Sequence, residues 1–455
     1  MDLQRDDMHF DLVIRGGRVI DPANGIDALR DVLVKRGKIA GVVTSAAPVT
    51  ADRTIDARGK IVAPGLIDLH VHCYLGVSTY GLDPDRVGIR SGCTHVNDMG
   101  STGCFTLTGF RELVASRAMS DVTCFPNLLG FGLPENWGLS STASGATGIS
   151  AEETILQARA NPNLVRGVKV HCEPGEFSWW GDRTFVAALE VASECKLPIY
   201  AHLGYLFPEQ PGVERVDPDV MLDEAIARLR PGDLIGHAYS GHQGALIKKD
   251  GSVHPRAREL AGRGILLEVG YGLTTTFAAT RALFDAGIAP DVCSSDAHGI
   301  TLGRPRASTD FANALSYTMA GTMTKLWALG MPLADVIRAS TVTPARVLGL
   351  ERTKGSLSRD VPADITVLQA TGGEWELTDN AGARLRVREV LVPTHTIKAG
   401  RVHELSVMEM VEFQQEYVRA GLRVEGLELA RRLGHCSRIA SGQWWSDPRA
   451  RREEA

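Results

Sequence analysis

Six polar residues interrupt apolar runs that otherwise read as buried strands. They are His70 and His72 in GLIDLHVHCY, Lys169 in VRGVKVHC, His202 in LPIYAHLG, His237 in DLIGHAYSG and Asp296 in DVCSSDAHG. A charge or an imidazole in such a run is costly unless something pairs with it. Lysine in particular almost never occupies the middle of a buried strand without a neutralising partner. The His-x-His spacing of His70 and His72 puts two imidazoles on one face of a strand, which is half of a metal site. Each residue alone is as consistent with a satisfied core position; six of them at the same end of successive strands point to divalent metal chemistry.

The elements that would carry these residues follow from the pattern around them. Between about 63 and 350, eight short apolar runs alternate with segments such as AEETILQARA, FVAALEVASECK, DVMLDEAIARL and TTTFAATRALFDAG, with apolar residues at i, i+3 and i+4. Strand and helix in alternation imply parallel strands with crossover connections. Eight such strands predict a (β/α)8 TIM barrel, with its active site where the strands end. Residues 1–62 and 351–405 alternate β-branched and polar residues around RGG and RGK turn glycines, predicting one composite β-sandwich built from both chain ends. Residues 406–455 predict a helical extension and a polar tail.

Composition excludes several classes. With 49 Lys+Arg against 54 Asp+Glu the net charge is −5, which lacks the basic face that a nucleic-acid binder needs. No apolar run has the length of a membrane span, and the opening MDLQRDDMHF is not a secretory signal. The 8 cysteines include no CxxC, so a reduced, cytoplasmic setting is expected. No GxxxxGK[ST] phosphate loop is present.

The approach to the first strand, VAPGLIDLHVH, and the stretch STVTPARVLGL followed by KGSLSRDVPADITVL, resemble the amidohydrolase superfamily over about residues 10 to 405. The lysine on strand four resembles the binuclear, carbamylated-lysine subtype. HAYSG and TMTKLWALGMPLADVIRASTVTPA are similar to the dihydroorotase-like and deacetylase-like branch. The resemblance implies two divalent metal ions, Zn2+ in the simplest reading, although the N/O donors also suit manganese or iron. His70, His72 and Asp296 would hold the more buried ion, and His202 and His237 the other. Lys169, converted by CO2 to an anionic carbamate, would link the two.

It further implies hydrolysis of an amide, linear or cyclic, by a metal-bridging hydroxide, with Asp296 as general acid and base. An ester or lactone would suit the same site, and a non-catalytic scaffold barrel is the reading from another class. A small molecule is the expected substrate, and a homo-oligomer is consistent with the family. One departure concerns the loop after strand seven, where this chain has Gly270, Tyr271 and Gly272 instead of Gly-His-Gly.

Other residues could reach the mouth. Tyr271 and His298 are candidate substrate contacts, with Arg304 and Arg306 as weaker ones. His171 and Glu173 share the strand parity of Lys169, and Glu173 is a minor alternative ligand. Trp179 and Trp180 either line an apolar pocket or pack in the core. The Gly/Ser-rich GLPENWGLSSTASGATG after strand three reads as a lid.

Overall fold

A computed structural model describes residues 9–45, 48–78, 81–133, 148–205, 217–248, 250–272, 274–299 and 318–406. Nearly all of the lid segment, Arg304, Arg306, the side chain of Trp179 and almost all of the C-terminal extension lie outside them.

Five strands open the chain: β1 (His9–Asp21), β2 (Ile26–Lys35), β3 (Lys38–Thr44), β4 (Thr50–Asp56) and β5 (Ile61–Pro64). Three more close it: β14 (Ile365–Thr378), β15 (Arg384–Lys398) and β16 (Arg401–Glu404). The two chain ends pair in one sheet, in the order β16-β15-β14-β5-β1-β2-β3, with β4 alongside β1. This is a single hydrogen-bonded sheet where a two-layered sandwich was expected. Its faces are covered separately: Leu12 and Ile14 join an apolar cluster with Val32, Val34 and Ile39, while Val13, pointing the other way, joins Phe10 and Leu33. The RGG glycines do not make a turn either. Gly16 (φ 67°) and Gly17 form a bulge inside β1, whereas Arg36 and Gly37, both at positive φ, turn β2 into β3.

The middle of the chain supplies eight parallel strands. β6 (Leu66–Val71), β7 (Cys93–Asp98) and β8 (Asp121–Cys124) form one arc. β9 (Val168–Cys172), β10 (Ile199–Leu203), β11 (Leu234–Gly236), β12 (Leu266–Gly270) and β13 (Val292–Ser294) form another. Helices Ala151–Ala160, Arg183–Cys195, Pro218–Arg228 and Phe277–Asp285 fall where the apolar period places them. All eight expected strands are present, yet their ladder is broken at two seams. Single parallel bridges, Cys124↔Val165 and Asn127↔Lys169, join the arcs on one side, and Val71↔Ala297 on the other. Each seam has a local cause. Pro126 has no N–H to give to the first, and Asp296, at φ 49°, turns the backbone at the second. Among the described residues, no helix is long and apolar enough to cross a membrane.

A half-buried ion cluster ties this sheet to the parallel strands. Lys354 Nζ lies 2.6 Å from Asp364 Oδ2 and also pairs with Asp121, while Lys398 Nζ stands 2.7 Å from Asp121 and 3.6 Å from Asp364. Lys354→Met would leave the buried Asp364 carboxylate with the longer Lys398 contact as its remaining ion pair, beside the Ala399 amide that donates to Oδ1 at 2.8 Å. The expected loss is about 2–3 kcal/mol, smaller than for a fully orphaned buried charge because Lys398 remains. Chemical denaturation of the two proteins checks it.

Candidate active site

The alternation of β6 sends Ile67 and Leu69 into apolar packing and turns Asp68 and His70 to the opposite face, which continues through His72. Lys169 on β9 and His202 on β10 come from neighbouring strands, and His237 and Asp296 follow the ends of β11 and β13. All six are buried, none more than 7% exposed. His70 Nε2 is 3.1 Å from Asp296 Oδ1 and 3.4 Å from His72 Nε2. His72 Nε2 is 3.5 Å from the same oxygen, and His237 Nδ1 is 3.8 Å from Asp296 Oδ2. The His202 and His237 rings are 4.8 Å apart. Lys169 Nζ sits 4.3 Å over the Tyr200 ring, and the Tyr200 hydroxyl is 2.8 Å from His70 Nδ1.

Backbone strain and bare glycines make this convergence possible. His237 (φ 54°) and Asp296 (φ 49°) both adopt the left-handed conformation, which non-glycine residues take at a cost and which clusters at functional sites. A Cβ on Gly270 would stand 2.7 Å from His237 Nδ1, and one on Gly272 only 1.9 Å from the Asp296 carbonyl oxygen. The Gly270-Tyr271-Gly272 loop is therefore read in the structure as clearance for two of the six residues.

Burial sets the charge states. It pushes the pKa of His70, His72 and His202 well below the ordinary range, helped by neighbouring cationic groups, and brings His237 to about 3. Burial also lowers Lys169 to about 8 and raises Asp296 well above the ordinary carboxylate range, with Glu268 adding to the rise. Neutral imidazoles keep their lone pairs. His202 Nε2 and His237 Nδ1 are both buried with no hydrogen-bond partner, which is costly unless a cation takes those lone pairs.

A family model described as the amidohydrolase family matches residues 246–402. Over that segment the chain is similar to this family. It is 28% identical to a deacetylase of Brucella anthropi, over 82% of this chain and 87% of that protein. It is also 28% identical to a dihydroorotase of Anaeromyxobacter dehalogenans, over 86% of this chain and 98% of that one. A crystal structure of a dihydroorotase superposes with a TM-score of 0.72 at 26% identity, covering 87% of this chain and 99% of that one. A crystal structure of an adenine deaminase shares the fold, with a TM-score of 0.73 at 23% identity over 87% of this chain and 100% of that one.

Other residues fall differently from their reading in the sequence. His298 joins the cluster, with Nε2 4.0 Å from Asp296 Oδ2. Tyr271 has no exposed surface: its ring packs on Phe277 beneath Lys325 Nζ at 4.2 Å. Glu173 caps helix Pro174–Trp180, its Oε1 accepting from the Glu176 amide at 2.8 Å. That helix replaces the expected loop, and it buries Trp180. His171 reaches the cluster, its ring 5.0 Å from His202 and its Nδ1 3.3 Å from Glu176 Oε2. A cavity of about 860 Å3 lies elsewhere, at the opposite strand ends beside Arg166, Pro198 and Asp233.

The sequence reading passed over Tyr200, Glu268 and Ser101. Ser101 Oγ is 2.9 Å from His72 Nδ1. Glu268, in ILLEVGYG, carried the same signal as Lys169, a charge inside an apolar run.

The depressed histidines give a pH prediction for the metal-free protein. His237, held at about 3, and His95, also at about 3 through burial, stay neutral in the folded chain while the unfolded chain protonates them near 6.5. Their stabilisation is complete above that value and is lost as pH falls from about 6.5 towards 3, at roughly 1.4 kcal/mol per pH unit for each. Denaturation midpoints measured between pH 7 and 4 should fall accordingly.

Proposed function

We propose that this chain is a metal-dependent hydrolase that cleaves the C–N bond of a non-peptide amide, linear or cyclic, in a (β/α)8 barrel formed by the two arcs. The single observation that carries the reading is the convergence of three buried imidazoles, His70, His72 and His237, on Asp296 at the strand ends, with His202 against the His237 ring. Relatives named deacetylase and dihydroorotase support the reaction class.

His70, His72 and Asp296 would hold one divalent cation, Zn2+ in the simplest case, and His202 and His237 a second. The ions supply Lewis-acid polarisation of the carbonyl and a water acidic enough to attack near neutral pH. A nearby cation also returns Asp296 to its ionised form, against the effect of burial. With a pKa of about 8, Lys169 keeps a usable fraction of free amine. That neutral amine would add to CO2, forming an N–C bond as one C=O π bond opens and releasing one proton, so that Lys169 would carry an anion able to serve both ligand groups. Asp296 takes the proton from the attacking water and hands it to the departing nitrogen. His298 stands on the mouth side, positioned to orient a substrate group.

The test is metal analysis of the purified protein, together with turnover of N-acyl amino acids, cyclic imides, hydantoins and aryl esters. Two equivalents of metal and hydrolysis of an amide substrate are expected. Preference for the aryl esters would replace the amide reading, and metal-free protein inert on every compound would leave a scaffold.

A further inference from the structure

We propose that Tyr200 and Glu268 are positioning residues that fix the tautomer of His70, holding its proton on Nδ1 so that Nε2 presents a lone pair to the site. The purpose of this device rests on the metal reading above; its geometry does not.

Counting donors leads there. Glu268 is fully buried and is approached by three donors, the His237 amide at 2.9 Å from Oε2, the Tyr200 hydroxyl at 2.8 Å from Oε2, and the Ser294 hydroxyl at Oε1. A carboxylate only accepts, so the one proton of Tyr200 is committed to Glu268. The 2.8 Å contact between Tyr200 and His70 Nδ1 must then run the other way, with His70 donating to the phenol oxygen. A neutral imidazole with its proton on Nδ1 has its lone pair on Nε2, the atom facing His72 and Asp296. Without Tyr200, the shorter remaining contact for that proton is Asp296 Oδ1 at 3.1 Å from Nε2, against Glu268 Oε1 at 3.4 Å from Nδ1.

The barrel interior is shaped for this pair. Tyr200 and His202 share one face of β10, so the phenol lies one layer beneath a candidate ligand. A Cβ on Gly236 of β11 would stand 2.1 Å from the Tyr200 ring, so this strand has no side chain where the ring passes. Gly270 gives Glu268 the same clearance, at 3.0 Å from Oε1. Lys169 covers the ring face at 4.3 Å, so Tyr200 touches two of the six site residues at once.

The experiment uses the full chain, stripped of metal by chelator and labelled with 15N-histidine, and a Zn2+ titration in competition with a chromophoric chelator. Wild type should show His70 with its proton on Nδ1, and Tyr200→Phe should move it to Nε2. Zn2+ affinity of the tighter site should fall about 10- to 100-fold, as for other hydrogen-bond partners of metal-bound histidines. If Tyr200→Phe does not fold, Glu268→Gln keeps the shape and should still weaken Zn2+ by at least about threefold. A wild-type His70 carrying its proton on Nε2 overturns the inference, as do variants that keep both tautomer and affinity. Should wild type bind no Zn2+, the proposed function fails while the tautomer spectra still decide the role of Tyr200.

Discussion

Asp296→Asn, purified and loaded with metal, is expected to lose about a hundredfold to ten-thousandfold in kcat, the scale of removing a positioned acid–base group. The substitution is clean for a backbone reason. Asp296 sits at φ 49°, a conformation that Asn tolerates as well as Asp, so the variant adds no strain at the strand end. Asn keeps a carbonyl oxygen for His70 and for a cation, but it cannot accept and return a proton. Metal content should therefore fall less than turnover does. Metal analysis beside initial rates separates the two effects, and an Asn variant with wild-type rates would remove Asp296 from the chemistry. Asp296→Glu is expected to fare little better. One extra methylene has to fit between His70 Nε2 at 3.1 Å and His237 Nδ1 at 3.8 Å.

Much of this site was legible because buried charge is rare and stands out in an apolar run. Lys169 and Asp296 are visible on that ground alone, and the spacing of His70 and His72 adds the shared face. Glu268 was equally visible and was missed because no second ligand type accompanied it in its run. Tyr200 gave no signal, since a tyrosine in IYAH reads as an ordinary core aromatic; only the 2.8 Å contacts show its hydroxyl at work. The packing of Tyr271 was equally hidden: its position beside the strand end suggested a ligand contact, and nothing in the sequence showed that its ring meets Phe277 and Lys325. The sheet of the chain ends shows a similar limit. Its alternating pattern predicted strands correctly, while Gly16 and Gly17 could equally have made a turn or a bulge, and partner strands from the far end of the chain decided between them.

Lys169→Ala is expected to reduce turnover on the order of a thousandfold, the scale of losing one preorganised charge at a reacting centre. The lysine stem runs through a narrow slot. A Cβ on Gly100 would stand 2.9 Å from Lys169 Cγ, and the Tyr200 ring closes one side. Alanine empties that slot without moving its walls, leaving room for a small carboxylate where a carbamate would lie. Millimolar formate or acetate should therefore restore part of the activity. Lys169→Met fills the slot with an uncharged stem of similar length, so the same acids should leave it inactive. That contrast distinguishes a lost anion from a lost packing contact, because both variants lose the charge and only one retains the volume. Wild-type protein in 13C-bicarbonate should show a carbamate carbon that both variants lack. A metal-loaded, active wild type without that signal would show that a free amine suffices, and the anion between the two ligand groups would have to come from elsewhere.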